Sequence, residues 1–121
     1  MGSAQRGEAP RRLFSAIASV ATMRAERIAL DTYVLDTLMR DLVGHDRRAS
    51  AFVVYLFLWR RTQGGARSAV LSHMLVADGT GLSKRSVQVG LALLERRQLV
   101  SIRRSGRTSA GIITLKCPWR R

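Results

Sequence analysis

The residues Ala51-Phe52-Val53-Val54-Tyr55-Leu56-Phe57-Leu58-Trp59 form an unbroken apolar run of nine. A run of this length covers every face of a helix, and such a helix is buried on more than one side. Phe, Val and Tyr also favour strands. The flanking pairs Arg47-Arg48 and Arg60-Arg61 and the length of the segment predict a helix from about Arg47 to Thr62. Asp46 is placed to cap it, and Gln63-Gly64-Gly65 to close it with a turn. A chain of 121 residues with a hydrophobic fraction of 46% suits one domain built around such a helix. Nine apolar residues fall far short of the ~20 needed to span a bilayer, so no membrane segment is expected.

Charge narrows the partner. The formal net charge is +13, an excess that opposes compaction and fits a polyanionic partner, nucleic acid or an anionic membrane surface. Residues 1–44 carry six Lys+Arg and five acids, net +1, whereas residues 45–121 carry fifteen and three, net +12. The second part is therefore the expected electrostatic footprint, and the first is support or an arm. Cys117 is the single cysteine, which excludes an internal disulfide or a cysteine-held zinc and fits a reducing cytosol. His45 and His73 are the only histidines, and neither has a partner at metal-ligand spacing. No metal, cofactor or small-molecule ligand is expected. Ser15, Ser19 and Thr22 interrupt any apolar stretch near the start, so no signal peptide is predicted there and the expected location is cytoplasmic, on the nucleoid.

Along the chain, residues 1–12 read as a mobile tail. Leu13, Phe14, Ile17, Val20, Ala21 and Met23 fit a helical stripe. Residues 26–30 are a linking piece. Asp31 or Thr32 then caps a helix to about Leu42, with Val34, Leu35, Leu38, Met39 and Leu42 on its apolar side and Val43-Gly44 as its end. Residues 13–43 together form an N-terminal helical arm, and 44–121 the main domain. After the central helix, residues 66–71 have room for one very short strand. Ser72 caps a short helix, His73 to Gly79, with Leu75, Val76 and Ala77 facing inward. Thr80-Gly81-Leu82 is a tight turn, and Ser83 caps a helix from Lys84 to about Gln98. Val87, Leu91 and Leu94 share one face of it. Leu99 to Arg104 is strand-like, 105–108 a glycine turn, and Ala110 to Cys117 the returning strand. The fold class expected is mainly α with a small β-hairpin.

Residues 72–100, SHMLVADGTGLSKRSVQVGLALLERRQLV, resemble the core of winged helix-turn-helix DNA-binding domains of bacterial, plasmid and phage regulators. The matching positions are Ser72, Ala77, Asp78, Thr80, Gly81, Leu82, Ser83, Val87, Leu91, Leu94, Leu99 and Val100, and the hairpin 100–116 falls where the family's wing would be. The chain departs from the pattern at Gly79, inside the short helix, and at Gln98, where a Gly often precedes the wing strand. The resemblance implies a winged helix-turn-helix over 44–121 with extra N-terminal helices, and it makes the helix 83–98 a recognition helix.

Physical chemistry gives that helix a compatible surface. Opposite its apolar face lie Lys84, Arg85, Ser86, Gln88 and Val89, near the end that enters the major groove. Lys and Arg suit guanine O6/N7, Gln suits adenine N6/N7, and Val89 suits a thymine methyl. Ser83 and the helix start favour a phosphate. Arg103, Arg104 and Arg107 around the hairpin turn suit a flanking groove or phosphates. Arg96 and Arg97 sit at a helix C-terminus, where cations are stabilising in any case, and Arg120-Arg121 form a basic tail. Trp119 either closes the hairpin onto a helix or lies at a dimer contact.

The expected function is sequence-specific binding of double-stranded DNA by a small transcriptional regulator, working as a homodimer through residues 13–43. Two alternatives keep the same module: a plasmid or phage replication or partition protein, and a winged helix that binds an acidic protein. RNA binding ranks lower without a stacking aromatic motif. No phosphate loop, paired carboxylates or nucleophile–base set points to an enzyme.

Overall fold

The computed structural model describes residues 26–104 and 111–120. The stripe at 13–23, the hairpin turn and Arg107 lie outside the described residues. The chain is mainly helical with a small three-stranded antiparallel sheet. Helix α1 covers residues 32–45 and is wound as π-helix through Val34–Leu38 and Arg40–His45. Helix α2 is Ala49–Thr62, strand β1 Ala69–Leu71, helix α3 His73–Thr80, helix α4 Lys84–Arg96, and strands β2 and β3 are Val100–Arg104 and Gly111–Leu115. Among the described residues no helix is long and apolar enough to cross a membrane.

The apolar run becomes the central helix, as its composition requires. Ala51, Phe52, Val54, Tyr55, Leu58 and Trp59 of α2 are buried, and α1, α3, α4 and β3 pack around them. Thr62 is the buried polar residue of this core. Its hydroxyl donates to the Leu58 carbonyl at 2.8 Å and accepts from the Gly65 amide at 3.1 Å, so it is not stranded by its burial. Strand β3 lies between β1 and β2, paired Ala69 with Ile113 on one side and Ile102 with Ile113 on the other.

Several end assignments differ from the sequence-based expectation. Asp46 does not cap α2, whose N-cap is Arg48 without a side-chain hydrogen bond. The Asp46 carboxylate instead accepts two hydrogen bonds from Arg97, at 2.8 and 2.9 Å, and a third contact from His45 at 3.0 Å. Arg97, and then His45, hold that carboxyl down at about 2. Asp31 does not cap α1 either. Its carboxylate accepts from Arg120 at 2.7 and 3.0 Å and from the Trp119 indole at 2.8 Å, which lowers its proton affinity. Arg120 also donates to the Gly64 carbonyl, and the Trp119 ring stacks on Tyr33 with centroids 4.6 Å apart. Arg120 is thus part of a clasp, not a loose basic tail, and Trp119 closes onto the start of α1. Helix α1 runs through Gly44 to His45. Only Val34, Leu38 and Leu42 enter the core, while Leu35, Met39 and Val43 remain 41–47% exposed. Leu75 of α3 is also exposed, with Val76 and Ala77 buried as expected.

The two departures at Gly79 and Gln98 have local causes. A Cβ at position 79 would meet the Phe57 ring at 2.3 Å, so Gly79 lets α3 close onto α2. Helix α4 stops at Arg96, short of Gln98, because Gln98 turns left-handed with φ of 60°. The Leu99 amide bonds back to the Leu94 carbonyl and the Gln98 amide to that of Glu95, the pattern of a Schellman end, which favours glycine at this position. Gln98→Gly is expected to raise stability by about 0.5–1 kcal/mol through relief of left-handed strain, less the entropy glycine loses. Urea unfolding checks this, and a lowered midpoint would refute it.

Candidate nucleic-acid interface

Both helix starts predicted from Ser72 and Ser83 are present. The Leu75 amide donates to Ser72 Oγ at 3.1 Å, and the Ser86 amide to Ser83 Oγ at 3.0 Å. Between them Gly81 adopts φ of 82°, and the Thr80 hydroxyl donates to the Val76 carbonyl while accepting from the Leu82 amide. These short-range bonds fix the angle at which α3 hands the chain to α4. Val87, Gly90, Leu91 and Leu94 bury the inner face of α4. Gly90 permits a close approach, since a Cβ there would lie 3.2 Å from the Ala51 Cα of α2. With the inner face clamped, Lys84 and Arg85 are held out in solvent, with Gln88 and Val89 half-buried beside them. Ser83 and Ser86 are hydrogen-bonded to each other, so their primary work is to fix the start of the helix.

The outward surface has two flanks. On the side of α3, the amide nitrogen of Gln88 lies 3.5 Å from His73 Nδ1. Burial, then the positive charges of Arg104 and Lys84, push the proton affinity of His73 down. Those two cations therefore converge on His73 from β2 and α4. Strand alternation puts Arg104 on the same face as Val100 and Ile102, and Arg103 on the other face with Ser101. Arg104 thus joins the α4 surface, and Arg103 lies on the other face of the strand.

On the opposite flank α4 and the start of α2 enclose a groove of about 340 Å³. Arg48, Arg85 and Arg96 supply its charge, and Gln88, Val89 and Ala92 line it beside them. Among the described residues none of these three arginines is in an ion pair. Arg97 is different, being held by Asp46. Arg48, Arg96 and His73 are not among the residues expected at the site from the sequence. The spacing of Arg85, Val89, Ala92 and Arg96 along one helix face is a signal that marks Arg96, but nothing local marks Arg48 or His73. Among the described residues no group of three His, Cys, Asp or Glu can hold a metal ion. Burial pushes the Cys117 thiol up, which disfavours its thiolate. The chain matches no protein-family model, no curated protein and no solved structure in comparisons with each.

Proposed function

We propose that this protein is a sequence-specific double-stranded DNA-binding protein of the winged helix-turn-helix type, acting as a transcriptional regulator. In this assignment α3 and α4 are the helix-turn-helix, α4 enters the major groove, and the hairpin β2–β3 is the wing. The observation that carries it is the outward surface of α4. Lys84, Arg85 and Gln88 stand on the first turns of a helix that is capped at its start and clamped along its inner face. Guanidinium, ammonium and carboxamide groups at the leading end of a rigid helix suit the base edges of a major groove. Arg104 and His73 beside them offer the adjacent backbone a cation and a hydrogen-bonding ring.

The protein acts as a homodimer that pairs through α1. Leu35, Met39 and Val43 form an exposed apolar row there. Within α1, Asp36 and Asp41 outweigh Arg40, while the flanking Asp31 and Asp46 are neutralised by Arg120 and Arg97. On a chain of net charge +13, this is the surface on which two copies meet least repulsion. Antiparallel pairing also sets Asp36 of one copy opposite Arg40 of the other, an isologous contact.

Selection of bound sequences from random duplexes, followed by competition against scrambled DNA, tests both statements. The expected result is a defined site, preferred about 10³-fold or more over scrambled duplex. A dimer yields a two-fold repeat with half-sites about 10–10.5 base pairs apart, or a multiple of that. Equal binding to selected and scrambled duplexes overturns the specific reading. An asymmetric single site overturns the dimer.

A further inference from the structure

We propose that the groove formed by Arg48, Arg85 and Arg96 is a second phosphate-binding site, which holds the DNA strand on the side of α4 away from the hairpin. The inference rests on the assignment of α4 to the major groove and adds to it the residues that meet the far strand. An α-helix with its side chains is about 10–12 Å across, and the major groove of B-DNA is about 12 Å wide. A helix seated in it therefore has a phosphate backbone on each flank.

The two flanks of α4 are cationic in different ways. At 3.6 residues per turn, Lys84 and Arg85 diverge by about 100° around the helix axis. Lys84 faces α3 with His73 and Arg104. Arg85 faces the start of α2, where Arg48 meets it across the groove, and Arg96 lines the same groove from the far end of α4. Gln88 belongs to both, approaching His73 at 3.5 Å and lining the groove. It therefore marks the midline that would lie over the bases. Arg96 stands three turns beyond Arg85 on the same face, so the cationic flank runs almost the whole length of α4. Three guanidinium groups from two separate helices, with no described carboxylate paired to any of them, form a concave surface suited to phosphate oxygens.

The test uses the full chain, a duplex carrying the selected site and a scrambled duplex, each titrated over a range of salt. Arg48→Ala with Arg96→Ala should weaken both complexes by a similar factor and leave the preference between them unchanged. The slope of log K against log salt should become shallower by about 1.8, near 0.9 for each phosphate no longer neutralised. Arg48→Lys with Arg96→Lys should restore the slope. Both side chains are exposed, so melting temperatures should stay at the parent value. A double alanine variant with parental affinity and slope overturns the groove while leaving the α4 assignment intact. Loss of preference without loss of scrambled binding makes the groove a base reader and likewise overturns the proposal. If the alanine variant keeps its DNA affinity but loses binding to a polyglutamate peptide, the groove serves an acidic protein segment instead. Failure of the parent protein to prefer any duplex is a separate result, and it falls on the α4 assignment.

Discussion

Trp59→Ala is expected to remove a large part of the stability of the protein. Trp59 is 2% exposed, near the end of a helix that every other described helix contacts. Its ring lies against Tyr55, with centroids 6.1 Å apart, and under the Arg120 guanidinium at 5.4 Å. Truncating a buried Trp costs about 3–5 kcal/mol in forgone transfer energy and cavity formation, against a typical total of about 5–15 kcal/mol. The indole also donates to the Ala29 carbonyl at 2.8 Å, so the variant leaves that acceptor unpaired. Trp59→Phe separates the two effects. It keeps much of the packing and removes the hydrogen bond, with an expected cost nearer 1–2 kcal/mol. Denaturant unfolding followed by circular dichroism measures both. Equal midpoints for the alanine variant and the parent would show that Trp59 is not a keystone of the core.

Lys84→Ala with Arg85→Ala is expected to give the largest loss of DNA affinity of any pair on α4. Each good base contact contributes about 1–3 kcal/mol of discrimination, or roughly 5- to 150-fold in affinity. Removing both side chains should collapse the preference for the selected site towards the scrambled level, and the loss of Arg85 from the groove should also weaken scrambled binding. That pattern differs from the uniform weakening expected for Arg48 and Arg96. The folded state should be untouched, because both residues are exposed and neither is in an ion pair among the described residues. Parental preference in this variant would remove α4 from the proposed interface.

The parts of the fold legible in the sequence are those decided locally. Ser72 and Ser83 cap their helices because the accepting hydroxyl and the donating amide are three residues apart. The run 51–59 is the core because so continuous an apolar surface leaves a helix no face for solvent. Asp31 and Asp46 have the same local credentials as caps, yet both are taken by arginines 89 and 51 positions away. A short-range signal cannot report a competitor at that distance, and a bidentate guanidinium outweighs a backbone amide. Arg48 and His73 escape a reading of the sequence for the same reason. Their place at the interface comes from the way α2 and α3 meet α4, not from their neighbours in the chain. Gln98 stands out in the sequence as a departure, and its positive φ explains why glycine is common in such a position.

The clasp of Asp31, Trp119 and Arg120 has a kinetic consequence. It joins residues 88 and 89 positions apart, and closing a loop of that length is an entropic cost borne before the contact returns anything. The capped α3–α4 turn and the β2–β3 pairing need far shorter closures. Folding should therefore nucleate around α2–α4 and fasten the clasp after the main barrier. Contacts made that late govern how fast a protein comes apart more than how fast it assembles. The clasp thus acts as a latch on the lifetime of the native state, at the end of the molecule where α1 is attached.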